Sequence, residues 1–158
     1  VSPDAVRYFL LSRSPDSQMD FDRELAVKQS DENPVFYIQY AHARIASVLR
    51  LAVASSIVYD DGDVSLLGHP SELALLRQMI QLPEVVYDAA QDLAPHRLTY
   101  YAYDLARALH LFYRDCRIIS SFEEDQALNK ARLKLCRAAQ IVLARILGLM
   151  GMSAPERM

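Results

Sequence analysis

An all-α fold, a bundle of about six helices, is the class this sequence predicts, and three observations predict it. No run of residues keeps the apolar–polar alternation of a half-buried strand. The last long segment repeats Leu128, Ala131, Leu135, Ala138, Val142, Ile146 and Leu149 at three- and four-residue steps, the spacing of one helix face. Helix-start signals recur along the chain: Ser2 before Pro3, Asp22, and Asn33 before Pro34. Each supplies a side-chain oxygen for orphan backbone N–H groups, and proline at the first helical position loses no hydrogen bond.

The elements follow in order. Ser2-Pro3 opens a helix through DAVRYFLLSR, and SPDSQMD is a polar turn. Asp22 caps a short helix through RELAVKQ, which SDENP ends. Asn33 caps a longer one whose apolar pattern runs to about Ile57. Tyr59 to Pro70 gathers glycine, aspartate and proline and reads as a loop, after which Ser71 caps ELALLRQMIQL. Pro83 breaks or restarts the helix before EVVYDAAQDL. Pro95 opens HRLTYYAYDLARALHLFYRDCRII, the acidic loop SSFEED follows, and the final helix runs from Gln126 to about Leu149.

A chain of 158 residues suits one domain, and with four glycines it has the composition of an ordered globular protein. Cys116 and Cys136 are too few for a disulfide framework and too far apart for a metal pair. They read as core residues in a reducing compartment. The richest apolar run, IVLARILGLM, carries Arg145 in its middle and is too short to cross a bilayer. With no charged-then-apolar leader at Val1, a cytoplasmic setting without membrane contact is expected. A chain beginning VSPDAV, already inside a helix signal, also looks like a piece of something longer.

The net charge of −3 is unevenly spread. Residues 1–95 carry 7 Lys/Arg against 14 Asp/Glu, and residues 96–158 carry 10 against 6. Such asymmetry permits a basic face on an acidic protein, which is what phosphate contact needs.

The segment NPVFYIQYAHARI concentrates aromatic and basic side chains on one helix. At 100° per residue Ile38, His42, Ile45, Leu49 and Val53 share the packing face, so His42 reads as a hydrogen-bonded core histidine. Tyr37, Tyr40, Arg44 and Val48 form a neighbouring line. Rings and a guanidinium in a row suit unpaired bases, whose faces stack on them while polar tips reach the base edges. The competing reading is a tight helical crossing in which both tyrosines pack and Arg44 pairs with a carboxylate. The helix from Pro95 repeats the theme: Leu98, Ala102, Leu105, Leu109, Phe112 and Cys116 make its apolar face, and Tyr113 borders Arg117, with Arg107, His110 and Arg114 further round. On the last helix Lys130, Lys134 and Arg137 share a face that is either solvated or in contact with RNA.

Catalytic patterns are missing from the sequence. It holds no Glu-x-x-His, no histidine-rich zinc spacing, no glycine-rich loop ending in Lys-Ser/Thr and no glycine-flanked serine. No catalytic residue and no metal ligand is assigned.

Several stretches taken in order, DAVRYFLLSR, MDFDRELA, NPVFYIQYAHARI, LLGHPSE, PHRLTYYAYDLA, HLFYRDCRI, ARLKLCRAA and the closing SAPERM, resemble the C-terminal part of bacterial arginyl-tRNA synthetase. Asp4-Ala5-Val6-Arg7 matches the Asp-Ala-Leu-Arg signature of that family's helical anticodon-binding domain, with valine for leucine. The resemblance implies a class I arginine–tRNA ligase that uses ATP with magnesium and is cytoplasmic and commonly monomeric. Its catalytic domain, carrying the His-Ile-Gly-His-type and Lys-Met-Ser-Lys-type motifs, would lie upstream of Val1, and this stretch would bring no cofactor of its own. Residues 1–158 would be the tRNA anticodon-binding domain, with residues 1–30 forming the junction to the catalytic one and leaving an apolar patch near Val6 to Leu11. Tyr37, Tyr40 and Arg44 would form the anticodon-loop stripe, Tyr113 and Arg117 the opposing wall, and Met158 would approach the loop. His110, Arg114, Lys134 and Arg137 are further candidates for RNA contact, and the acidic segment Ser121 to Asp125 would face away. A helical protein–protein scaffold without RNA binding is the alternative.

Overall fold

The computed structural model describes residues 1–14 and 16–158. Among the described residues there are seven α-helices and no strand: α1 Pro3–Leu11, α2 Arg23–Val27, α3 Pro34–Ala54, α4 Pro70–Ile80, α5 Leu82–Gln91, α6 His96–Asp115 and α7 Gln126–Leu149. Short 3-10 turns at Val64–Leu66 and Glu123–Asp125 complete the chain. The all-α bundle is thus as expected, with α2 the one helix of only five residues. None of the helices is long and apolar enough to cross a membrane.

Helix α6 is the hub, packing against α3, α4, α5 and α7, and α3 also packs along α7. Ile38, Ile45, Leu105, Leu109, Phe112, Leu133, Leu143 and Ile146 fill the space between these three long helices and are essentially inaccessible. Both cysteines are free and buried there, and burial pushes the Cys136 thiol up to about 12.

The predicted caps act as the chemistry demands. Ser2 Oγ accepts from Ala5 N at 3.1 Å, and Asp22 Oδ1 from Leu25 N at 2.9 Å. Buried Asn33 uses both ends of its amide: Oδ1 accepts from Val35 N, while Nδ2 donates to Lys28 O at 2.8 Å. That side chain ties the start of α3 to the end of α2 and so fixes the linker, residues 28–32, beside α3.

Other boundaries move, each for a physical reason. Helix α4 starts at Pro70, capped by His69 rather than Ser71, because the Glu72 carboxylate accepts from His69 N at 2.8 Å and closes a capping box. Pro83 sits at the second position of α5 and restarts the helix there. Helix α3 stops at Ala54, and Val53 is 72% exposed: the buried line runs Ile45, Leu49, Ala52, and Val53 lies 100° beyond it. On α7 the buried face is wider than the predicted stripe and turned from it. Ala139, Leu143 and Leu147 are inside, whereas Ala138 and Leu149 are exposed, because α3, α4 and α6 all press on this helix.

The largest departure is the end of α6. Cys116 takes φ −119 and ψ 127, so the helix ends and the chain continues extended. Cys116, Ile118 and Ser120 alternate inward, which turns Arg117 outward as part of a strand-like step rather than a helix face. Arg132 holds this segment by donating from Nη1 to Arg117 O at 2.9 Å, and its Nε donates to the buried Glu72 at 2.6 Å.

Candidate nucleic-acid interface

Helices α3 and α6 cross so that the aromatic line of one faces the basic flank of the other. Between them and the linker after α2 lies an open cleft of about 1080 Å³. Phe36, Tyr37, Tyr40 and Arg44 contribute from α3, and Arg107, His110, Tyr113 and Arg114 from α6.

The side chains are layered. Phe36 and Tyr40, one turn apart, stack with ring centroids 5.8 Å apart and planes within 7°. Tyr40 also faces His110 at 6.0 Å with planes 23° apart. The Arg44 guanidinium continues the pile, its carbon 5.4 Å from the Tyr40 centroid and 4.0 Å from that of Tyr113. No carboxylate pairs with Arg44 among the described residues, so the competing expectation of an Arg44 ion pair does not hold. A half-buried guanidinium with its charge uncompensated by acid is suited to an anionic partner.

Tyr37 takes a different role from Tyr40. It turns against Tyr103 at 5.0 Å and His110 at 4.5 Å, and burial, followed by the Tyr103 phenol, raises its pKa. The outward row on α3 is therefore Phe36, Tyr40, Arg44, a four-residue step, with Tyr37 lining the cleft beside it. That step was present in the sequence, and Phe36 was the residue it should have added.

His110 sits among these groups, with Nε2 3.3 Å from Tyr37 O and Nδ1 3.4 Å from Arg44 Nη1. The guanidinium can only donate and the carbonyl can only accept, so the arrangement selects the neutral ring carrying its proton on Nε2. Burial first, with the Arg44 charge adding to it, lowers the His110 pKa against the hydrogen bond to Tyr37 O.

Tyr40, Arg44 and Tyr113 also line a second cavity of about 470 Å³, whose remaining wall includes Ser47, Arg50, Arg157 and Met158. Met158 is thereby brought to the stripe from the far end of the chain. Tyr113 further lines a third cavity, about 280 Å³, together with Val48 and Arg117. Arg114 lines the main cleft, although its Nε donates to Asp115 at 2.7 Å.

Lys134 and Arg137 are not brought to these cavities. Lys134 Nζ donates to Asp60 O and Gly62 O, Lys130 pairs with Asp61 at 2.9 Å, and Arg137 donates to Gln140. The first two lysines hold the loop before Val64–Leu66 against α7. Gly62 makes that approach possible, since a Cβ there would lie 2.7 Å from the backbone C and O of Lys130. Unforeseen in the sequence are the acids Asp31 and Glu32 at the cleft wall, Glu32 paired with Lys28. Their carboxylates repel phosphate and can accept from amino groups on base edges.

The profile of the DALR anticodon binding domain matches residues 38–158, which hold the greater part of both cavity walls. The chain belongs to the DALR anticodon binding domain family. Over its whole length it is 57% identical to an arginine–tRNA ligase of Dehalococcoides mccartyi, and 46% identical to one of Heliobacterium modesticaldum. The arginyl-tRNA synthetase structure of Thermus thermophilus superposes with a TM-score of 0.81 at 32% identity, covering 98% of this chain and 26% of that one. The chain spans 28% and 29% of the length of the two ligases. As a DALR anticodon binding domain, its helices from Ile38, the fifth residue of α3, onward fall inside the matched region, while α1 and α2 precede it.

Proposed function

We propose that this chain binds the anticodon stem and loop of the tRNA for arginine, as the C-terminal part of an arginine–tRNA ligase. The observation that carries the reading is the Phe36–Tyr40–Arg44–Tyr113 pile, open on a cleft and free of acid partners at Arg44. Unstacked loop nucleotides have faces for the rings, and their phosphates have Arg44, Arg107 and Arg114. Met158, Arg157 and Arg50 extend the surface past Tyr113.

The whole protein would attach arginine to its tRNA at the expense of ATP, with magnesium, in a catalytic domain joined to α1. It would act as a monomer in the cytoplasm. The chemistry would belong to that other domain, with its His-Ile-Gly-His-type and Lys-Met-Ser-Lys-type motifs. Residues 1–30 form the junction, and α1 offers Val6 at 39% and Leu10 at 60% exposure for it.

Titrating an unmodified transcript of this tRNA onto the chain at several salt concentrations tests the proposal. Affinity should fall steeply with salt. Tyr40→Ala should weaken binding by about tenfold, the lower range for one stacked base, with the thermal unfolding curve unchanged. Binding that ignores both salt and Tyr40→Ala would overturn it.

A further inference from the structure

The Asp-Ala-Val-Arg tetrapeptide at the start of α1 has no place in the cleft, yet it touches the segment that carries Met158. Helix α7 ends in a Schellman turn: Met152 N donates to Leu147 O at 2.9 Å and Gly151 N to Gly148 O at 3.0 Å, with Gly151 at φ +69. The turn sends the tail back across α1. Asp4 Oδ2 there accepts from Ser153 N at 3.1 Å, from Ser153 Oγ at 2.5 Å and from Gln39 Nε2 at 2.8 Å. One carboxylate oxygen thus gathers three donors from α3 and the tail.

The rest of the tetrapeptide fits the same contact. Arg7 lies 3.7 Å from Asp4 and passes so close to Gly151 that a Cβ on the glycine would meet its Cδ and Nε at 3.5 Å. Ala5 is 1% exposed beneath, whereas Val6 faces solvent. Two further bonds lead the tail along α3: His42 Nδ1 lies 2.9 Å from Pro155 O, and Arg50 Nη1 donates to Glu156 O at 3.0 Å. Arg157 and Met158 follow directly and line the cavity shared with Tyr40, Arg44 and Tyr113.

We propose that Asp4 is a positioning residue for RNA binding: its carboxylate seats Ser153, and through the tail it sets where Arg157 and Met158 stand in the second cavity. The consequence for RNA rests on the function proposed above; the clasp itself does not. Charge-assisted hydrogen bonds are the strong ones, and a negative oxygen with three donors is one that an alanine or an amide cannot replace. Although burial works against the charge, the Ser153 and Gln39 bonds and then Arg7 hold the Asp4 carboxyl below its usual range. It stays ionised at neutral pH. Because α1 is the helix proposed to meet the catalytic domain, movement of α1 would be felt at Met158.

The test uses the full 158-residue chain, its Asp4→Ala and Ser153→Ala variants, and the parent and Asp4→Ala chains without residues 153–158. Amide hydrogen exchange reads the clasp. In Asp4→Ala the Ser153 amide should exchange at least about tenfold faster, the loss expected for a bond to a charged acceptor, while α3 and α6 core amides are unchanged. Ser153→Ala, which removes one donor from an exposed position and leaves α1 intact, should accelerate residue 153 by a smaller factor. Transcript affinity should fall several-fold in Asp4→Ala and fall no further when the mutation is placed in the chain lacking residues 153–158. Unchanged exchange at residue 153 in both variants would overturn the clasp. An equal affinity loss with and without the tail would overturn its role in RNA binding. If the parent chain binds no transcript, the proposed function fails while the exchange result still decides the clasp.

Discussion

Arg44 of α3 stands over Tyr113 of α6 with its guanidinium carbon 4.0 Å from the ring centroid, and both residues line two cavities. A planar cation is needed for that geometry. Arg44→Lys keeps the charge but loses the plane, so transcript affinity should drop by about tenfold with an unaltered salt slope. Arg44→Met should lower affinity and reduce the slope by about one phosphate's worth of counterion release. Fluorescence titrations at four salt concentrations separate the two.

His110 makes a pH-dependent contribution. Burial and the neighbouring Arg44 lower its pKa from 6.5, so as pH falls the unfolded chain takes up the proton before the folded one does. The neutral ring's contribution to stability is complete above 6.5 and is lost as pH falls through the lowered folded value. Asp31 and the Tyr37 carbonyl pull the other way. In Arg44→Met the His110 imidazole signal should titrate at higher pH than in the parent, by proton NMR. An unmoved midpoint would show that burial alone sets it.

The Glu72–Arg132 pair is buried, with side-chain exposures of 1% and 15%. Removing one partner strands the other charge. Arg132→Met should therefore cost about 3–5 kcal/mol in urea unfolding, and it should also free the Arg117 segment that Arg132 Nη1 holds. Replacing both, Glu72→Gln with Arg132→Met, should recover part of the loss, because no unpaired ion remains.

Val6 and Leu10 lie one turn apart on the open side of α1, with Phe21 38% exposed nearby in the chain. Exposed apolar residues grouped at a helix surface promote association. Sedimentation should show a concentration-dependent increase in mass for the chain, and Val6→Gln with Leu10→Lys should abolish it. A monodisperse parent at high concentration would remove this face from consideration as a contact surface.

What the amino-acid order determined by itself was local. Caps at Ser2, Asp22 and Asn33, proline at first turns and the three- and four-residue apolar steps specify helices, because each depends on neighbours within one or two turns. The Tyr40–Arg44 line and the burial of His42 were legible for the same reason: helix pitch alone puts them on adjoining faces. Tertiary packing decided the rest. It turned Tyr37 against Tyr103, ended α6 early so that Ile118 could be buried and Arg117 turned out, and spent Lys130 and Lys134 on a loop some seventy residues away in sequence, at separations of 69 to 74. It also carried Met158 across the chain to Tyr40 by way of Asp4, a contact spanning 149 residues. Such contacts exchange one set of distant partners for another at nearly equal local cost, so no periodicity records them; only the mutual burial of whole helices selects which one forms.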